Sequence, residues 1–446
     1  MRKILFISIT LVGWLTMAQE QPKEAYSFTL EEAVAFAMEN NYTAINATRD
    51  LTDAQKQKWE TIAAGLPQIN GNINYQNQLK QPVQVIPAEI FGGEPGTFTE
   101  VVFGTKQSAT ATATLTQLIF DGSYIVGVQA AKTFVDYTQN TKEKSDLEVR
   151  KSVVEAYGNL LLAKESVLIL EKNKTTLEKN LYETEKIYEN GLGDEESVDQ
   201  LKITLASIDN QLKNAIRLQD ITLQMFNLIV GLPIETQTTL SESLDGLTQS
   251  QIDFNLLETP FAIENNVDFK LMNNLNEQRS LELKLAKSKA LPSINGFVNY
   301  GASSFSNEFN FLSNEADWFD SSILGIEMNI PIFSSFKRSA STQRAKIALE
   351  KAKTQMTETR QQLRLQWEKA KSDYILAIEE FNTAKDNLSL AERIENKNQI
   401  KYSEGLATSF ELRQAQTQLY DTQQQYLQSM VNVINQKTEL ATVLNQ

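Results

Sequence analysis

The sequence predicts a mixed fold: long coiled-coil helices joined to transmembrane β-strands, built as a tandem duplication. Three observations predict it. First, residues 338–402 hold neither proline nor glycine. Within them Leu363, Trp367, Ala370, Tyr374, Ala377, Phe381, Ala384, Leu388 and Ala391 recur at four- and three-residue spacing, which is the seam of a coiled coil. Second, Val149, Val153, Ala156, Leu160, Ala163, Val167 and Leu170 repeat that seam 214 positions earlier. Third, four segments alternate apolar and polar residues, the pattern of a strand with two unlike faces.

Each half presents the same elements in the same order. A helix is expected from Ser27 or Thr29, as cap, to about Ala64, with Glu31 and Glu32 in its first turn. A strand follows, with Ile69, Gly71, Ile73 and Tyr75 on one face against Gln68, Asn70, Asn72, Asn74 and Gln76 on the other. Residues 77–105 are rich in turn formers and are expected as an irregular loop. In the second strand Ala109, Ala111, Ala113 and Leu115 alternate with four threonines, before a turn at 120–123 opens the first long helix, Tyr124–Asn190. Gly191-Leu192-Gly193 turns it into a shorter helix, Asp194–Val230, ended by Gly231-Leu232-Pro233.

The second half is expected as a helix from Leu256 to Ala290, a strand from Ser293 to Tyr300, and an aromatic-rich loop over 301–321. A fourth strand, Ile323–Phe333, places Leu324, Ile326, Met328, Ile330 and Ile332 on one face. The long helix follows, then a turn at Gly405, then a last helix from Thr408 to near Leu444. The segments 65–75 and 290–300 agree at seven of eleven positions, at an offset of 225. The first half therefore carries about a dozen extra residues between its strands. The domains read as residues 19–230 for the first repeat, 231–253 for a connector, and 254–446 for the second repeat.

Composition narrows the function. Arg2 and Lys3 precede an apolar run, Ile4–Leu15, and Thr16-Met17-Ala18 offers small residues for cleavage, so residues 1–18 read as an export signal with a mature start near Gln19. Losing those two cations takes the formal charge from −14 to −16, a poor match for nucleic acid. With no histidine and no cysteine, the commonest general base, the usual zinc ligands, acyl attachment at cysteine and disulfides are all removed. No cofactor and no enzyme activity are expected.

Four strands cannot close a barrel, and an open edge in lipid would leave backbone groups unpaired. The strands must close with other copies, and three copies give a 12-stranded barrel. A helix of about 65 residues is roughly 100 Å long at 1.5 Å per residue. The shorter helices are about half that, so two stacked end to end match one long helix, and a trimer would wall a tube with twelve columns.

The duplicated strand, strand, long helix, short helix plan resembles the TolC-type outer-membrane efflux factors. So does Tyr402-Ser-Glu-Gly405-Leu-Ala-Thr408-Ser-Phe-Glu411-Leu412-Arg-Gln-Ala415-Gln416-Thr-Gln-Leu419, which is similar to their Y-x-x-G-x-x-[ST]…L…AQ…L signature. The resemblance implies a homotrimeric barrel in outer-membrane lipid of a Gram-negative bacterium, continuous with a periplasmic α-helical tunnel. It also implies a periplasmic adaptor and an inner-membrane pump of the RND or ABC type as partners. On this family's pattern Glu411 falls on the first position of an entrance ring, and Gln414 stands where a second acid is usual. An arginine–aspartate lock found in some members is replaced by Ala407 and Ser197. Gly191, Leu192, Gly405, Leu406 and Thr408 become the adaptor-docking tips, with Tyr188, Tyr402, Glu196 and Ser197 as contacts around them. Asp194, Glu195, Glu196 and Asp199 are the alternative gate acids. Trp367, with Tyr374, Phe381 and Leu388, is expected in a helix–helix interface. The rival reading is a secreted coiled-coil spacer or adhesin without a channel, which leaves the duplicated alternating strands unexplained.

Overall fold

A computed structural model describes residues 26–314 and 316–446. The export signal at 1–18 and the mature start near Gln19 lie outside the described residues. Helix begins later than the sequence pattern suggests. Ser27 lies in a short strand, β1 (Tyr26–Phe28). Thr29 is the cap of α1 (Leu30–Asn40), its hydroxyl and Glu32 forming a reciprocal capping box. The helix expected to run on to Ala64 breaks at Asn41, whose side-chain oxygen caps α2 (Tyr42–Ala63).

The strands follow as β2 (Gln68–Asn77), β3 (Val83–Pro87), β4 (Phe98–Val102) and β5 (Gln107–Asp121). The expected loop at 77–105 thus contains a hairpin, β3 against β4, because Val83, Val85, Phe98 and Val102 carry strand propensity between the turn residues. β5 runs without a break into α3 (Gly122–Glu189), with Asp121 accepting from the Ser123 and Tyr124 amides as cap. Next come α4 (Glu195–Val230), β6 (Thr238–Leu240), α5 (Leu244–Gln251) and α6 (Phe254–Glu258). The connector is therefore structured: β1 pairs with β6 in parallel, and the buried Asn227 side chain bonds Ile234, Thr236 and Thr238 to shape the turn. The expected helix from Leu256 is interrupted at Pro260, and α7 spans Val267–Ser288. β7 (Ser293–Ser306) and β8 (Phe319–Asn329) extend into the loop expected at 301–321, taking up Phe305 and Phe319, and β8 stops before Ile330. The chain ends with α8 (Lys337–Ser403) and α9 (Ser409–Val443).

The strand order is β2-β5-β7-β8, antiparallel throughout. The register aligns Ile73, Ala111 and Ala302 on one face and Asn72, Thr112, Gly301 and Ser321 on the other. One face is therefore apolar and the other polar, as the alternation requires. β2 and β8 each keep one edge without a partner strand.

Beneath the sheet the helices stand in the same lateral order. α2 packs on α3, α3 on α7, and α7 on α8. Farther down, α4 packs on α3, and α9 packs on both α3 and α8. Each chain is thus a slab four columns wide, α3 and α8 being single long columns and the other two each stacked from shorter helices. The main core lies midway along, where Tyr157, Phe226, Tyr374, Leu427, Ile434 and Leu440 are buried together. Two buried tyrosines tie the long helices to the connector. Tyr157 donates to the Phe28 carbonyl, and Tyr374 donates to the Gln251 carbonyl while accepting from the Asp253 amide. The seams buried as the spacing predicts include Val149, Val153, Leu160, Leu363, Tyr374 and Phe381, with Leu388 half-buried.

Trp367 departs from its expected place. It is half-buried and stacks on Phe261 of the α6–α7 connection, ring centroids 5.6 Å apart and planes within 9°. It closes the connector over α8 instead of entering a helix–helix seam.

Candidate functional site: the paired helical tips

The two hairpins α3–α4 and α8–α9 end in turns of the same construction. Gly191 and Gly405 hold φ of +74° and +73°, a left-handed conformation that costs a side chain dearly and glycine nothing. The Leu192 amide reaches the Ile187 carbonyl, and the Leu406 amide the Lys401 carbonyl, closing each helix end. Leu192 and Leu406 are then left 83% and 73% exposed at the far ends of the hairpins.

The helices that leave these turns are capped differently at equivalent positions. Asp194 accepts from the Ser197 amide at 2.7 Å and from its hydroxyl at 2.9 Å. Those bonds hold its carboxyl below the usual carboxylate range. Thr408 and Glu411 form a capping box, in which Glu411 accepts from the Thr408 amide at 2.8 Å and its hydroxyl at 3.0 Å. The same bonds hold Glu411 low, chiefly the one from the backbone. Gln414, one turn on, is exposed.

Between the hairpins runs a ladder of uncharged polar pairs. Nearest the tip, the Ser197 and Ser409 hydroxyls meet at 2.8 Å. Thr184 and Tyr402 meet at 2.8 Å. Asn180 and Gln399 exchange two amide bonds of 3.0 Å each. Higher still, Asn173 donates to Gln423 at 2.9 Å. Among the described residues no ion pair joins the two hairpins at this level; the charged contacts there, Lys202 with Glu185 and Lys186 with Glu189, stay within the first hairpin.

Of the contacts expected around the tips, Tyr402 and Ser197 do touch the opposite hairpin. Tyr188 stands exposed, and Glu196 turns back to Gln200 on its own helix. Thr184, Asn180, Gln399, Asn173, Gln423 and Ser409 were not anticipated. Their signal was available: Asn173 and Asn180 stand seven residues apart, as do Leu177 and Thr184, and all four continue the α3 seam with polar residues mixed in. Polar residues at seam positions fix register at a cost in stability. Just above, Gln416 is buried in α9 beside Glu395 of α8, whose carboxyl is pushed up by burial. Among the described residues no cluster of acids has the arrangement of a metal site.

The sequence profile of the outer membrane efflux protein family matches residues 261–446. The second half of the chain belongs to that family. The efflux-protein half carries the Gly405 turn, the capping box and one rail of the polar ladder, and the first half repeats its plan. No curated protein sequence matches the chain. Among solved structures, the outer membrane protein VceC from Vibrio cholerae is similar, with a TM-score of 0.71 at 16% identity, over 93% of this chain and 96% of that one. The Campylobacter jejuni CmeC outer membrane channel gives 0.73 at 16% over 93% and 85%. The open state of the Neisseria gonorrhoeae MtrE outer membrane channel gives 0.70 at 16% over 93% and 88%. The whole described chain therefore has the fold of these channels, with its helical slab and small sheet. No described helix is long and apolar enough to cross a membrane, a fact that leaves the sheet as the element to consider.

Proposed function

We propose that the protein is an outer-membrane channel-tunnel, in which three copies close a 12-stranded barrel above twelve helical columns. It would carry substrates from a periplasmic adaptor and an inner-membrane pump to the outside. The observation that carries this reading is the sheet: two open edges, one apolar face, one polar face, and each strand standing in line with a helical column. Such edges are untenable in lipid unless another copy pairs with them. A second unpaired surface supports the same closure. Leu218, Ile221, Met225 and Leu228 stand exposed along α4 at three- and four-residue spacing, the stripe a neighbouring coiled coil would cover.

In this reading the exposed Leu192 and Leu406 turns are the adaptor-docking tips, and the polar ladder holds the entrance closed. Uncharged pairs are each worth about 0.5–1.5 kcal/mol. Four in line make a closed state that docking energy can overcome, and no salt bridge need be broken. Three copies of Glu411 around one axis would form a single acidic ring, with Gln414 leaving the second uncharged. The test is fractionation of cells expressing the full chain: a heat-labile, SDS-resistant trimer in the outer membrane fraction supports the channel. A soluble coiled-coil monomer or dimer in the extracellular fluid would establish the spacer reading instead.

A further inference from the structure

The two strand-to-helix junctions of the duplication are built in opposite ways. At the first, Asp121 ends β5 and caps α3 with two side-chain hydrogen bonds. At the second, seven residues separate β8 from α8, and the helix opens at Phe336 with no side-chain cap. Ser335 and Phe336 hold φ of +48° and +63° there, a conformation in which a bulky side chain is strained. Glycine or asparagine would fit this corner more easily, so packing in the single chain does not explain the phenylalanine. Its ring is 79% exposed, and Phe333, 6.4 Å away between ring centroids, is 78% exposed. Ile332 is 88% exposed. The apolar alternation of β8, Leu324, Ile326 and Met328, continues in sequence through Ile330 and Ile332 into this corner. Lys337 and Arg338 follow at once, and Arg338 donates to the Ile332 carbonyl at 3.1 Å, which holds a cation against the apolar cluster.

We propose that the segment Ile330–Arg338 is an interfacial anchor for glycerophospholipid, seated in the leaflet on the helical side of the membrane. This rests on the channel reading, and adds to it a lipid partner at one defined corner. Aromatic rings are favoured at the boundary of headgroups and acyl chains, and adjacent cations are attracted to anionic headgroups. The sheet's apolar face leads directly into the cluster, so the occupant continuous with it is lipid. The capped, polar junction at Asp121 lacks this chemistry, so each copy would carry one anchor, and a trimer three.

The absence of cysteine makes single spin labels straightforward. Phe333→Cys, Phe336→Cys and, as a control within β8, Ile326→Cys are labelled with nitroxide. Each full-length protein is placed in bilayers of phosphatidylethanolamine with phosphatidylglycerol. Collisions with oxygen and with a nickel chelate then report depth. All three labels should favour oxygen, with 333 and 336 shallower than 326. Nickel access at 333 and 336 while 326 reads lipid would overturn the anchor and leave the channel standing. Shielding of 333 and 336 from both reagents would show that a second copy covers them, and would equally overturn it. Nickel access at 326 as well would remove the channel reading itself. Insertion into vesicles should also fall when the anionic lipid is omitted, by about fivefold per cation engaged. Lys337→Gln should reproduce part of that fall, and insertion indifferent to anionic lipid would refute the headgroup contact.

Discussion

The Thr184 and Tyr402 hydroxyls meet at 2.8 Å across the two helical hairpins, and the Asn180–Gln399 amide pair lies one turn above them. These contacts join halves of a duplicated chain that are otherwise free to move apart at their tips. Tyr402→Phe removes one neutral hydrogen bond, worth about 0.5–1.5 kcal/mol, and should raise the open fraction about two- to twelve-fold. Adding Asn180→Ala should raise it further. The readout is sensitivity of cells to a large antibiotic normally held out by the outer membrane; unchanged sensitivity in the double variant would dismiss the ladder as a closing device.

Glu411 offers a prediction with a defined sign in pH. Its carboxyl is held below the ordinary value of 4.5 by the Thr408 bonds. A depressed carboxylate contributes its stabilisation above the unfolded pKa and loses it as pH falls through the folded one. The ring charge, and block of the pore by trivalent cations from the tip side, should therefore persist at neutral pH. Both should be lost only in acid below 4.5. Glu411→Gln should remove most of the block while leaving the hairpin folded, since glutamine also completes a capping box. Block as tight as in the parent protein would move the gate to the acids at 194–199.

Glu395 should behave in the opposite sense. Burial pushes its carboxyl up, so the protonated form is the one the fold favours. That stability is fully present below 4.5 and is lost as pH rises through the raised value. Glu395→Gln should therefore raise the melting temperature at neutral pH by a few degrees at most, with the gain vanishing in acid. A lower melting temperature at neutral pH would mean that the charged form has a partner.

Trp367 illustrates how a sequence pattern can be right about burial and wrong about the partner. Its place in the seam marked it as packed, but Pro260 breaks the preceding helix and brings Phe261 over the indole. Because the ring stays half-exposed, Trp367→Ala should cost about 1–3 kcal/mol, less than the 3–5 typical of a fully buried tryptophan. Phe261→Ala should cost a similar amount, and a double mutant should be less than additive. Full additivity in thermal unfolding would separate the two residues.

The long helices, their seams, both glycine turns and the two-faced strands were legible in the sequence because each rests on a local period or a single conformational demand. The connector was not. β1 and β6 are three residues each and pair across more than 200 positions, so no local period announces them. The β3–β4 hairpin was obscured by its own glycines and prolines. At the tips, Gly191, Gly405 and Thr408 announced the turns and a cap. The pairing of Ser197 with Ser409 depends instead on how two hairpins dock, and small polar residues carry no spacing signal of their own.

The most direct test of three copies forming one pore is single-channel recording from the purified full-length protein in planar bilayers. Discrete, long-lived openings that prefer cations, and that widen in Tyr402→Phe with Asn180→Ala, are the expected result. A folded, membrane-inserted oligomer that conducts in neither form would contradict it.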